Sequence, residues 1–229
     1  MTMAIDIQEL ERIYNPGAQQ VVALKKVNLQ VPQGKFLAIK GRSGSGKTTL
    51  LNCVGGLDQP TSGSIKIFDR ELANLSSSQL TQWRRKNVGY IFQSFGLLPT
   101  LSAYENVELM LRIARVPRRQ RKGRAYEVLN MVGLEKWATH RPYEMSGGQQ
   151  QRLAIARAIS TKPQLILADE ATGELDSETA RIILQLFQDI VKAENMTLLV
   201  VTHDDLVDEY ADEVVVLHDG AILNKSRVE

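Results

Sequence analysis

The chain has 229 residues, 43% hydrophobic and 24% charged, an ordinary globular composition with room for one sizeable domain or two small lobes. Its 28 basic and 26 acidic residues leave a formal net charge of +2, which argues against wholesale nucleic-acid binding. A single cysteine, Cys53, excludes an internal disulfide and fits a reducing compartment, and no apolar run approaches the ~18 residues that a membrane helix needs.

The first residues, "MTMAIDIQEL", carry Asp6 and Glu9 and lack a long apolar core, so they do not read as a signal peptide. The chain is expected to be soluble by itself; work at a membrane would need a partner that supplies the spans. Ile5 and Ile7 alternate with polar neighbours, as do Val27, Leu29 and Val31, which predicts half-buried antiparallel strands near the start. "KFLAIK" (Lys35 to Lys40) is a short continuous apolar run, the pattern of a parallel strand covered on both faces.

Directly after it comes "GRSGSGKTT", Gly41 to Thr49. Gly41, Gly46, Lys47 and Thr48 fit G-x-x-x-x-G-K-[ST]. Glycines let the backbone curl so that successive N–H groups point at one phosphate chain, and a helix starting near Lys47 adds the positive end of its dipole. In that pattern Lys47 reaches the β- and γ-phosphates and the Thr48 hydroxyl binds Mg²⁺. Cys53, on the same helix, reads as a small core residue.

Residues from about Thr100 to Ala158 show helical pattern and no good strand, which suggests a helical lobe inserted into an α/β domain. Its basic cluster, Arg118 to Arg124, reads as a solvated helix face or turn, with contact to lipid headgroups or a partner as the other reading. In "MSGGQQQRLAIARAIS" (Met145 to Ser160), Ser146 and Gln149 fit a capping box. Gly147 and Gly148, which no capping box requires, make a second anion-cradling turn at a second helix N-terminus.

"PQLILAD" ends a buried strand with Asp169, and Glu170 follows. Beside a phosphate loop these two acids read as a Mg²⁺ carboxylate and a group that orients or deprotonates the attacking water. "TLLVVTH" closes another buried strand with His203, whose expected place is the γ-phosphate. Ligands of open parallel sheets bind beyond the carboxyl ends of the strands, and Lys40, Asp169 and His203 all stand at such ends. "VVVLHDGAIL" predicts a hairpin turning at Asp219-Gly220.

On these residues the chain resembles the ATP-binding cassette (ABC) ATPases over nearly its whole length, with "SGGQQQR" similar to their signature motif. The resemblance implies an α/β fold: a P-loop NTPase (RecA-like) core with a mixed sheet, an N-terminal antiparallel β subdomain and an inserted α-helical subdomain. It divides one domain, 1–229, into a nucleotide-binding core (1–92 and 160–229) and a helical part (93–159). It implies ATP and Mg²⁺ as ligands, with Ser43, Gly44, Ser45, Gly46, Lys47, Thr48 and Thr49 around the phosphates and Tyr14 stacked on adenine. It places Gln93 beside Mg²⁺ with Thr48 and Asp169, and makes Glu170, His203 and Lys47 the catalytic groups. Two copies would pair head to tail, so that Ser146, Gly147, Gly148 and Gln149 of one close on the γ-phosphate held by the other, with Asp176 at the seam.

"GGLDQPTSG", "FQSFGLLPTLSAYENV" and "LADEATGELD" look like the ATPases of lipoprotein-releasing and macrolide-exporting transporters and of the related cell-division ATPase. That subgroup implies a cytoplasmic homodimer held at the inner face of the membrane by a permease, with an efflux adaptor in some systems and no nucleic acid. The surface that meets the permease is expected around Phe95 to Glu105. The purpose would be export or extraction of a lipoprotein, peptide, antibiotic or other amphiphile; the alternative is transmembrane signalling without transport. Cassettes that act on DNA or ribosomes carry long coiled coils or a second cassette, and a plain P-loop kinase lacks the signature segment. The sequence departs from the family at Ala171, where proline is usual, at Glu174, often asparagine, and at Met145, often leucine.

Overall fold

The computed structural model describes residues 2–15 and 19–227, so the outer limits 1 and 229 of the expected domain division lie outside the described residues. In chain order the elements are β1 (Met3–Tyr14), β2 (Val21–Pro32), β3 (Phe36–Lys40), α1 (Lys47–Val54), β4 (Ser62–Ile67), β5 (Arg70–Glu71), α2 (Ser77–Asn87), β6 (Val88–Ile91), α3 (Ala103–Ile113), α4 (Arg118–Met131), α5 (Gly147–Ile159), β7 (Leu165–Asp169), α6 (Ser177–Glu194), β8 (Thr197–Thr202), β9 (Glu213–His218) and β10 (Ala221–Arg227). They build two sheets. The first is antiparallel, in the order β2-β1-β4-β5; the second is mixed, in the order β10-β9-β3-β8-β7-β6.

The alternation at the start of the chain becomes the β1–β2 ladder, with Ile5 opposite Val31 and Ile7 opposite Leu29, all buried. The continuous apolar runs become the centre of the second sheet, where β3, β8, β7 and β6 run parallel. Side chains of successive strand residues point to opposite faces, and both faces here are covered. Phe36, Ala38, Ile166, Ala168, Leu198 and Val200 pack with α5, α6 and the helices between β6 and β7. Leu37, Ile39, Leu165, Leu167, Leu199 and Val201 pack with α1 and the antiparallel sheet. The hairpin turns at Asp219 and Gly220, both left-handed at φ 46° and 79°.

β6 carries no clear sequence signal: it has four residues, one of them Gly89. A Cβ at Gly89 would lie 2.5 Å from the Ala158 carbonyl oxygen, so the glycine lets β6 run close under α5. Between β6 and β7 the described chain forms helices and loops and no strand. Buried Asn106 fastens the loop in front of α3 by donating to the carbonyls of Leu98, Leu101 and Ser102 and accepting from the Leu98 amide. The basic cluster opens α4 and splits in two. Arg121 donates to the Val116 carbonyl and pairs with Glu108, and Arg124 caps the carbonyls of Ile159 and Ser160 at the end of α5. Arg118, Arg119 and Lys122 face solvent.

The topology sets the site. β3, β7 and β8 end at one edge of the sheet, where Lys40 pairs with Thr202 and Asp169 with Val201. The glycine loop leaves β3 at that edge, and Glu170 and His203 follow β7 and β8 there.

Candidate nucleotide-binding and catalytic site

The loop from Gly41 to Gly46 joins β3 to α1 with little side-chain bulk. Gly44 (φ 79°) and Gly46 (φ 101°) are left-handed, conformations that other residues adopt only with strain. The Ser45 amide donates to the Arg42 carbonyl at 3.1 Å and so closes the turn. Helix α1 opens with no side-chain cap and no acidic residue in its first turn, which leaves N–H groups and the positive dipole end free for an anion.

Lys47 is buried at 7% exposure. Its Nζ donates to the carbonyls of Gly41 (2.7 Å) and Arg42 (3.2 Å) and lies 3.8 Å from a Glu170 carboxylate oxygen. A buried ammonium held by two carbonyls and one distant carboxylate suits a phosphate ligand. Buried Ser45 Oγ has no hydrogen-bond partner among the described residues and faces Gly41, where a Cβ would meet it at 2.6 Å.

Thr48 Oγ1 donates to Asp169 at 3.3 Å, and burial pushes the Asp169 carboxyl up, reinforced by the charge of Glu170 and opposed by the Thr48 hydrogen bond and Lys47. A hydroxyl and a desolvated carboxylate side by side fit a small hard cation such as Mg²⁺. Glu170 sits at φ 47°, fixed by its amide on the Val201 carbonyl (2.9 Å) and by the Gly173 amide on its own carbonyl (3.1 Å). His203 Nδ1 lies 2.8 Å from Glu170 Oε2, and Thr202 Oγ1 lies 3.5 Å from the same oxygen.

One cleft of about 750 Å³ gathers Ser43, Gly44, Gly46, Lys47, Thr48, Thr49, Gln93, Asp169, Glu170 and His203. Gly41 and Ser45 are not in this lining; Gly41 is tied to it by its carbonyl on Lys47 Nζ. Other expected residues stand outside this lining. Tyr14 closes β1 opposite Val21; its hydroxyl donates to Asp58 and the Arg12 guanidinium covers its ring at 4.4 Å. Arg12 in turn grips Asp58 with two nitrogens, at 2.8 and 3.0 Å.

Ser146 caps α5 in the expected box, its Oγ accepting from the Gln149 amide and Gln149 Oε1 from the Ser146 amide. Gly148 lies against Thr179: a Cβ there would meet its methyl at 2.6 Å. Asp176 caps α6 by accepting from the amide and hydroxyl of Thr179, and the amide bond first of all holds its carboxyl below the usual range. The signature turn and the Asp176 loop are therefore neighbours, and none of Ser146, Gly147, Gly148, Gln149 and Asp176 lines the cleft described above. Of the departures, Ala171 and Met145 are buried in the core and Glu174 is exposed.

Sequence reasoning missed several groups at or beside the cleft. Val21, Val22 and Ala23 line it; two adjacent exposed valines stand outside the alternation that runs from Val27 to Val31 of β2. Asp58 has no local signal, since it reaches Tyr14 and Arg12 across 44 and 46 positions of sequence, and Arg12, two residues before Tyr14, gains its role only through that acid.

A glycine loop between a buried parallel strand and a helix, facing carboxylates at the end of a neighbouring strand, defines a P-loop nucleoside triphosphatase. The particular family follows from comparison: the family model "ABC transporter" matches residues 24–173, and the chain belongs to that family as one of its ATPases. It is 42% identical to the uncharacterized ABC transporter ATP-binding protein MJ0796 of Methanocaldococcus jannaschii, over 98% of this chain and 97% of that one. A structure of MJ0796 described as dimeric, post-hydrolysis and bound to ADP and Pi superposes with a TM-score of 0.90, at 40% identity over 98% of this chain and 99% of that one. The lipoprotein-releasing system ATP-binding protein LolD of Pseudoalteromonas translucida is 44% identical over 97% of this chain and 96% of its own. The macrolide export ATP-binding/permease protein MacB of Salmonella typhimurium is 40% identical over 98% of this chain, which spans 34% of that longer protein.

Proposed function

We propose that the chain is the ATP-hydrolysing subunit of an ABC transporter, working as a head-to-tail homodimer on a membrane permease. The observation that carries the pairing is the separation just described: the cleft holds the phosphate loop, the carboxylates and His203, while the second anion-binding turn lies elsewhere on the same chain. A two-fold partner brings one chain's turn to the other's cleft. The structures of MJ0796 described as dimeric support pairing of two cassettes.

Lys47 and the loop amides hold the phosphates; Ser146, Gly147, Gly148 and Gln149 of the partner copy close the site, with Asp176 at the seam. Tyr14, held by Arg12 and Asp58, carries the adenine. Thr48, Asp169 and Gln93 would hold Mg²⁺, which would supply charge neutralisation at the phosphates. Glu170 accepts a proton from the water in line with the γ-phosphorus, and His203 orients Glu170 and faces the γ-phosphate. Phosphoryl transfer asks chiefly for such positioning and charge neutralisation.

Among the described residues no helix is long and apolar enough to cross a membrane; in this reading the permease supplies the spans and holds the ATPase at the cytoplasmic face. The names of LolD and MacB favour export or extraction of an amphiphile, a lipoprotein, peptide or antibiotic, an adaptor being a further partner. Turnover per chain should rise steeply with protein concentration in the micromolar range, because each site needs two chains. Turnover independent of concentration, in a sample shown to be monomeric by light scattering, would refute the paired site.

A further inference from the structure

β3 is apolar and buried through Phe36, Leu37, Ala38 and Ile39, and then ends in a lysine. Lys40 immediately precedes Gly41, whose carbonyl holds Lys47. It pairs with Thr202 of β8, and side-chain alternation puts it on the face of Phe36 and Ala38. Thr202 lies on the same face as Leu198 and Val200 and touches Glu170, so Lys40 stands one strand beyond the residue that contacts the proposed base.

The Lys40 ammonium, its side chain only 16% exposed, meets two carboxylates, Asp205 and Asp208, the second at 2.8 Å. Both acids belong to the short turn Asp205–Glu209, which begins two residues after His203. The far end of the turn is held by Arg181 of α6, which pairs with Glu209, and by buried Val207; at the end next to His203 the remaining braces are local, the Asp204 amide on Thr202 Oγ1 and the Leu206 amide on Asp204 Oδ1. His203 itself is 66% exposed and is held by its contact with Glu170.

We propose that Lys40 is a positioning residue for hydrolysis: its ion pairs with Asp205 and Asp208 tie the root of the phosphate loop to the segment carrying His203, and so fix the imidazole relative to the phosphates. The inference rests on the reading of His203 given above. An exposed ion pair contributes little to stability, but a lysine flanked by two acids and one residue from the loop sets a distance. A misplacement of about 1 Å costs up to ~100-fold in rate, so the effect falls on turnover rather than on binding.

The test is a kinetic cycle on the full chain, with thermal unfolding run on every variant. Lys40→Met should lower kcat about tenfold and Lys40→Arg should recover most of it. KM for ATP should stay within about twofold throughout, because the loop and Lys47 are untouched. Asp205→Asn with Asp208→Asn should lower kcat similarly, and adding Lys40→Met to that pair should cost nothing further. The acid pair decides the matter if Lys40→Met fails to fold, since Asp205 is exposed and Asp208 partly so. Unchanged kcat in the acid pair and in Lys40→Met overturns the proposal. Additive losses also overturn it, and so does a raised KM at constant kcat, which would make Lys40 a nucleotide contact. His203→Ala separates the two levels: if it keeps full turnover, the reading of His203 falls. If it loses turnover while Lys40→Met does not, only the present inference falls.

Discussion

Glu170→Gln should bind ATP at wild-type affinity and hydrolyse it at least about 100-fold more slowly, the lower end of what a general base contributes. The geometry makes this a clean substitution. Glutamine keeps the length and shape of the side chain, so the contacts at 2.8 Å to His203 and 3.5 Å to Thr202 persist with little change. What disappears is the ability to take a proton from water and the negative charge facing Lys47 at 3.8 Å. The backbone at φ 47° belongs to the loop and is held by amide–carbonyl bonds that the substitution leaves alone. Strain of this kind persists only where the surroundings fix it, and here it aims the carboxylate into the cleft. ATP should therefore accumulate on the variant, and the closed dimer should outlast size-exclusion chromatography in ATP. A Glu170→Gln chain with normal turnover would remove Glu170 from the reaction.

Gly46→Ala should lose both stability and nucleotide. At φ 101° an alanine is strained, and its Cβ would sit 2.5 Å from the Ala23 carbonyl oxygen and 3.1 Å from Leu24. Ala23 has no room to retreat, because Gly220 approaches it from the hairpin, where a Cβ would lie 2.7 Å from the same oxygen. Backbone strain of ~1–3 kcal/mol and overpacking of ~1–3 kcal/mol together remove a large share of a typical stability of ~5–15 kcal/mol. The melting temperature should fall by roughly 10 °C at the scale of this chain. ATP affinity should fall at least about 100-fold, since Gly46 is the N-cap of α1 and the first amides of that helix move with it. Gly44→Ala, left-handed at φ 79° but with nothing within 4 Å of its Cβ, should be milder on both counts. Equal effects at the two positions would mean that strain alone matters and the contact with Ala23 does not.

Much of this was legible because it is local. The phosphate loop, the acids after β7, the histidine after β8 and the capping box of α5 each lie within a few consecutive residues, and the strand-end rule brings the first three to one edge. The alternating and continuous apolar runs likewise announced which strands are covered on one face and which on both. What stayed hidden depends on distant partners. β6 is too short to show a period, and its glycine makes sense only against Ala158. The cluster from Arg118 to Arg124 looked uniform, yet Arg121 and Arg124 brace carbonyls of the neighbouring segments while the others face solvent. The bonds from Asp58 to Tyr14 and from Lys40 to Asp208 span 44 and 168 positions. No spacing rule covers such pairs.

The most direct measurement mixes two disabled chains. Lys47→Ala removes the phosphate lysine and keeps the signature turn. Gly147→Asp keeps the cleft and brings a carboxylate to that turn; a Cβ at Gly147 meets only Leu175, at 3.7 Å, so the chain folds normally. Each should be inactive alone. Mixed one to one, they should recover up to about a quarter of wild-type turnover, because half the two-fold pairs are mixed and each mixed pair has one intact composite site. A mixture as inactive as its components, with mixed dimers shown to form in ATP, would contradict a site shared between two chains.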